Sequence, residues 1–371
     1  MGPKSAFRRR RRIALAALAG LAAGAFALGA AMGDGPPPRP SLASTLSIPW
    51  LAGERIVTGF EGTTVPASLA RSIRAGEVAG VILFADNLPD RATARRLTAS
   101  LQAIGRPAGL RDPLLVMVDQ EGGQVVRVSG APTASAAAMG ARGAAFSRVQ
   151  GERTAANLRN LGIDVDLAPV LDVARPGGVI AATERGFGAS AAAVSATSIP
   201  FAEGLQAGGV AATAKHFPGL GAATENTDFA VQRIGLPAAT LRRVDEAPYR
   251  AFAAAGDLVM LSTAIYPALS PKPAAFARPI ATGELRSRIG FEGVSITDAL
   301  ETVAVGSFGG PAKAGLAAAR AGTDLLLFTD PGEAAAARRA LTARLRAGGL
   351  DRAEFEASVQ RVLELRHRLS R

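Results

Sequence analysis

Eight short apolar runs recur along this chain, and none of them alternates apolar with polar residues. They read "RIVTGF" (55–60), "GVILFA" (80–85), "LLVMVD" (114–119), "VDLAPVLD" (165–172), "VAATAKHF" (210–217), "LVMLSTAI" (258–265), "GVSITDA" (293–299) and "DLLLFTD" (324–330). A strand with one wet face alternates; an unbroken apolar run belongs to a strand covered on both faces, as in a parallel sheet. Between the runs lie Ala/Leu/Arg-rich stretches such as "PDRATARRLTASLQAIG" and "AAAVSATSIPFAEGLQAGG", which end in Gly as helices tend to. Eight strand–helix units in one chain are the count of a (β/α)8 TIM-type barrel, an α/β fold of one domain. A doubly wound open sheet is the alternative, but no Gly-x-Gly-x-x-Gly turn follows the first run.

The barrel reading turns scattered residues into one constellation. Asp119, Asp172, Lys215 with His216, and Asp298 all stand at the C-terminal ends of runs. Those ends converge on a single mouth, where barrel active sites sit.

The segment before the first run reads differently. Arg8 to Arg12 precede twenty uncharged residues, Ile13 to Met32, long enough to span a bilayer. We expect residues 1–32 to act as a signal peptide or transmembrane anchor, with the arginines held inside and the rest exported. "GDGPPPRPS" opens a stiff Pro-rich linker, taken as 33–49, ahead of the barrel, 50–371.

Composition removes several function classes. The formal charge of +11 suggests nucleic acid, yet the first 40 residues hold seven of the 42 basic side chains and one of the 31 acidic ones. The remaining 35 and 30 show no basic run, and one Trp and two Tyr offer little stacking surface, so no nucleic-acid partner is expected. There is no cysteine, which excludes disulfides, thiolate metal sites and cysteine nucleophiles. Only two histidines exist, His216 and His367, so a histidine-rich zinc site is not expected either.

Each candidate has a bland counterpart. In "VMVDQEGGQVVRV" a carboxylate, Asp119, leaves a buried strand and Arg127 follows eight residues later; the carboxylate can accept from adjacent hydroxyls and the guanidinium donate in a fixed fork, or the two simply close the mouth as an ion pair. Arg185 lies in the Gly-rich "TERGFG" loop, where a solvated arginine is also ordinary. Lys215 and His216 in "AKHFPG" can donate to hydroxyls, or His216 can be a structural residue under the loop. Asp298 in "GVSITDALE" suits a nucleophile for an acetal carbon, or a helix N-cap before "ALETVA".

Together the segments "DQEGG" with a following Arg, "LAPVLDV", "RGFG", "KHFPG", "YPAL" and "GFEGVSITDAL" resemble glycoside hydrolase family 3 over about residues 50 to 370. The resemblance is to its single-domain bacterial β-N-acetylhexosaminidases. It implies a barrel and retaining hydrolysis through a glycosyl-enzyme intermediate, with Asp298 as nucleophile. It also implies that Asp119, Arg127, Arg185, Lys215 and His216 bind the sugar. No metal or organic cofactor is implied, and we expect a monomer acting on N-acetylglucosamine-containing glycan, cell-wall fragments included.

One departure stands out. In such enzymes the loop after "KHFPG" ends in Asp-Ser-His, whose His is the general acid/base. Here it reads "LGAATENTD", and Asn226, Thr227 and Asp228 occupy those positions. We expect Asp228 to replace the histidine, oriented by Asn226, with Glu225 as second choice. A carboxyl group delivering a proton needs surroundings that disfavour its charge, which Asp298 and a partly desolvated loop would supply. The alternatives are a protein that has lost its acid/base and only binds glycan, or a β-glucosidase.

Overall fold

A computed structural model of the chain describes residues 41–306 and 308–370. The segment 1–32 and the linker up to residue 40 lie outside them. Among the described residues, no helix is long and apolar enough to cross a membrane. The described residues open with a turn at Ala43–Thr45 and a helix at Ile48–Gly53.

Each apolar run contains one strand: β1 Ile56–Thr58, β2 Gly80–Ile82, β3 Leu115–Val118, β4 Val165–Asp166, β5 Ala211–Phe217, β6 Leu258–Leu261, β7 Val294–Thr297 and β8 Leu326–Phe328. Neighbours in sequence pair in parallel, and β1 also pairs with β8, so the order is β7-β6-β5-β4-β3-β2-β1-β8. The last seam closes through the parallel bridge Ile296–Leu325 and the bonds from Leu325 N to Ser295 O and Thr297 N to Leu325 O. The result is the expected (β/α)8 barrel.

Every residue of the eight strands is buried, for a reason visible in the packing. One side chain set, including Val57, Leu115, Met117, Val165, Leu258, Ile296 and Leu327, packs together inside the barrel. The alternate set, including Ile56, Val116, Val118, Ala212, Val259 and Leu326, packs against the helices outside with Leu97, Leu158 and Leu205. Two apolar faces per strand leave no polar period in the sequence.

The two helices read from the sequence form at Arg91–Gln102 and Ala191–Ala207. The first starts at Asp90, whose carboxylate accepts the Thr93 N–H at 2.8 Å, an N-cap that satisfies a donor the helix leaves open. At the floor of the barrel, Glu54 holds Arg106 and Arg366, both deeply buried. That ion cluster ties the C-terminal helix Arg352–Leu369 to the barrel and leaves the opposite end for chemistry.

Candidate active site

The C-terminal strand ends surround a cavity of about 350 Å³. Asp119, Arg127, Arg185, Lys215, His216, Asp228 and Asp298 all line it, so the structure brings these seven candidates together. Glu225 does not line it and is exposed.

The wall after β3 is fixed by local hydrogen bonding. Gln120 is fully buried; its amide nitrogen donates to Val128 O and Ala131 O, and its oxygen accepts from the N–H groups of Arg127 and Val128. Between those anchors, Glu121 and Gly122 donate to Val125 O. Gly122 (φ 92°) and Gly123 (φ 60°) make this turn, and a Cβ on Gly122 would meet Ala134 O at 2.2 Å.

This turn delivers a residue to which the sequence reading assigned no role. Glu121 accepts both Arg185 Nε (2.7 Å) and Nη2 (2.8 Å), and also lies 2.6 Å from Lys215 Nζ. Lys215 in turn donates to Asp119 at 2.6 Å. Burial alone would raise the Glu121 carboxyl, but Lys215 and Arg185 outweigh it and hold the group well below the usual carboxylate range. Burial opposes the charge of Lys215 likewise, and Asp119 and Glu121 reverse that, so the ammonium is held more firmly than usual. The Asp119–Arg127 contact is loose, 3.8 Å, and Arg127 Nε is buried without a partner among the described residues. Asp119 therefore belongs to Lys215 more than to Arg127. The signal for Glu121 was present in "DQEGG", two residues past Asp119 on the same turn.

His216 is positioned by Asp172, which follows β4. The buried carboxylate accepts the His216 backbone N–H (3.2 Å) and the Leu220 N–H (2.6 Å), and faces His216 Nδ1 at 2.8 Å. That contact fixes the ring and leaves its Nε2 edge as the one not engaged by Asp172.

Asp298 follows β7 directly. Among the described residues its carboxylate accepts only the adjacent Ala299 N–H (2.8 Å), and the next helix starts five residues later at Val303, so it is not an N-cap. Burial raises its pKa, with Asp228 pushing the same way, while His216 and Lys215 pull it down. A carboxylate short of donors and facing a polar cavity retains its nucleophilicity.

Asp228 sits on the rim. Asn226 grips it twice: its Nδ2 donates to Asp228 Oδ2 (2.9 Å) and its Oδ1 accepts the Asp228 N–H (3.2 Å). The Asp228 carbonyl accepts Val303 N–H at 3.4 Å, which brings the loop against the segment after Asp298. The side chain is exposed, so the partial desolvation expected of this loop is not found. Glu301, another residue not singled out from the sequence, closes the far wall, accepting Thr329 N–H (2.7 Å) and Asp330 N–H (3.2 Å).

Five carboxylates, Asp119, Glu121, Asp228, Asp298 and Glu301, and the cations of Arg127, Arg185 and Lys215 thus surround one cavity at the C-terminal mouth of a (β/α)8 barrel, an arrangement suited to a hydroxyl-rich ligand. The family model of the glycosyl hydrolase family 3 N terminal domain matches residues 55–365, and the chain belongs to that family. A protein of Arthroderma benhamiae described as an uncharacterized secreted glycosyl hydrolase is 38% identical, over 89% of this chain and 96% of its own length. A β-hexosaminidase of Xylella fastidiosa is 35% identical over 78% of this chain and 89% of its own. Among solved structures, a family 3 β-N-acetylglucosaminidase from a Paenibacillus species superimposes with a TM-score of 0.83 at 34% identity. It matches 88% of this chain, which spans 63% of that longer protein.

Proposed function

We propose that this protein is a retaining β-N-acetylhexosaminidase that removes terminal β-linked N-acetylglucosamine, with Asp298 as nucleophile and Asp228 as general acid/base. The observation that carries the reading is the under-bonded Asp298 carboxylate, at the end of β7, facing the same cavity as Asp228 and the Lys215–Glu121–Arg185 lattice.

In the first half of the reaction, Asp298 bonds to the anomeric carbon as the glycosidic C–O bond breaks. The departing oxygen takes the proton of the Asp228 carboxyl group and leaves as an alcohol. In the second half, Asp228 removes a proton from water, whose oxygen bonds to the anomeric carbon while the Asp298 ester bond breaks. The free sugar departs, and both carboxyl groups regain their starting states. Asp119, Lys215, Arg185, Arg127 and His216 hold the ring; Asn226 aims Asp228. Because burial raises the Asp298 carboxyl, the nucleophilic anion is lost on acidification earlier than it would be for a solvated aspartate.

Export fits the basic and apolar N-terminus, and a secreted relative agrees with it. Peptidoglycan fragments are the substrates such a location offers. The exposure of Asp228 favours a second reading: the acid/base is weak or lost, and the barrel binds glycan or cleaves only activated glycosides.

One assay separates them. The protein is given p-nitrophenyl N-acetyl-β-glucosaminide and an unactivated N-acetylglucosamine disaccharide. Turnover of both is expected. Turnover of the aryl glycoside alone supports the second reading, and aryl glucoside as the better substrate would make the protein a β-glucosidase.

A further inference from the structure

We infer that Phe229 and Val303 form an apolar platform at the cavity mouth that seats a pyranose ring in the leaving-group position. Among the described residues, five large apolar side chains are exposed, and these are the two most exposed: Phe229 at 70% and Val303 at 59%. They come from two segments far apart in sequence that touch where Val303 N–H meets Asp228 O. Asp228 and Thr302, the chain neighbours of Phe229 and Val303, line the cavity itself, so the apolar group borders its opening.

Exposed apolar side chains gathered in one place mark a binding surface more often than chance. What covers this one follows from the proposed reaction, on which the inference rests. The oxygen that receives the proton from Asp228 carries the leaving group, so that group must lie beside residues 229 and 303. A β-linked pyranose with equatorial hydroxyls presents a C–H face, which packs on the ring of Phe229 and on the valine methyls. The deeper cavity mixes the two kinds of surface: Asp119, Glu121, Lys215 and Arg185, which suit hydroxyls, line it together with Phe84, Leu167 and Met260, whereas Phe229 and Val303 offer apolar surface alone.

Phe229 is exposed and donates only through its backbone, to Asn226 O, so replacing its side chain leaves the turn bonds in place. The experiment compares the wild type, Phe229→Ala, Phe229→Trp and Val303→Ser on two substrates with the same reacting sugar: an N-acetylglucosamine disaccharide and the corresponding glycosyl fluoride. For Phe229→Ala, kcat/KM on the disaccharide falls about three- to tenfold, through KM, and the fluoride rate is unchanged. Phe229→Trp keeps the disaccharide rate; Val303→Ser shows a smaller loss of the same kind. Equal losses on both substrates, or none on the disaccharide, overturn the platform while leaving the hydrolase reading intact. If the wild type cleaves neither substrate, the hydrolase reading fails by itself, and titration then decides the platform. Phe229→Ala weakens the disaccharide and not the monosaccharide if it exists, and weakens both equally or neither if it does not.

Discussion

The two sides of the cavity are built in opposite ways. On the side formed by β3 to β5, Asp119, Glu121, Lys215, Arg185, Asp172 and His216 are largely withdrawn from water and tied to one another. On the other, Asp228 rides a loop, exposed, held by one asparagine and a 3.4 Å backbone contact. The first side is organised before any ligand arrives. On the assignment proposed above, the contrast teaches that ring recognition is a property of the barrel, whereas proton delivery by an exposed carboxyl calls for a bound sugar to exclude water from it.

Breaking the ordered chemistry has the largest effect. Asp298→Ala lowers the rate about 10⁴- to 10⁶-fold, the range seen when a member of a covalent machinery is removed, while sugar binding survives. Steady-state rates beside titration of the free sugar check it; a rate near wild type removes Asp298 from the mechanism. Breaking the charge lattice comes next. Glu121→Ala leaves Arg185 without its bidentate partner and Lys215 with Asp119 alone, which costs about 3–5 kcal/mol of stability. Denaturant unfolding measures this, and a loss below about 1 kcal/mol would show that the lattice is not organised as described.

The smallest effect concerns pH. Burial raises Asp164 to about 6, and Asp245 likewise to about 6 against the pull of Arg175. Glu246 rises to about 7 through burial and the charge of Glu284, and Glu301 to about 7 through burial despite its two backbone donors. A carboxyl raised in the folded state stabilises fully below its unfolded value, near about 4, and that contribution is lost as pH climbs through 6 to 7. Glu121 and Asp324 are shifted the other way and titrate below this window. The unfolding temperature therefore falls between pH 5 and pH 8. Glu246→Gln, at a carboxyl with neither oxygen hydrogen-bonded among the described residues, flattens part of that fall. A slope unchanged by the substitution would show that Glu246 is not charged at the upper end.

The fold was legible because barrel strands bury both faces, which leaves an unbroken apolar signal in each of the eight runs. Strand ends were less sharp: "VDLAPVLD" spans eight residues, but only Val165 and Asp166 form regular strand, and beyond them the chain stays on β5 through irregular bonds, Thr213 N–H to Ala168 O and Leu171 N–H to Lys215 O, with one bridge at Val170. Asp298 and the Lys215–His216 pair were legible because each directly follows or ends a strand. Glu121 was legible only as a neighbour of Asp119 on the same turn and not in its role, which depends on a turn locked by Gln120 and on Arg185, 64 residues away. The exposure of Asp228 was equally invisible, since burial of a loop side chain is decided by what packs over it.

The most direct test of that contrast is the leaving-group dependence of Asp228→Ala. If the loop carboxyl delivers the proton, the loss on an unactivated disaccharide is about 10²- to 10⁴-fold, the loss on an activated aryl glycoside is far smaller, and added azide restores the latter as a glycosyl azide. Equal losses on both substrates, with no azide product, would contradict the assignment of proton transfer to the loop.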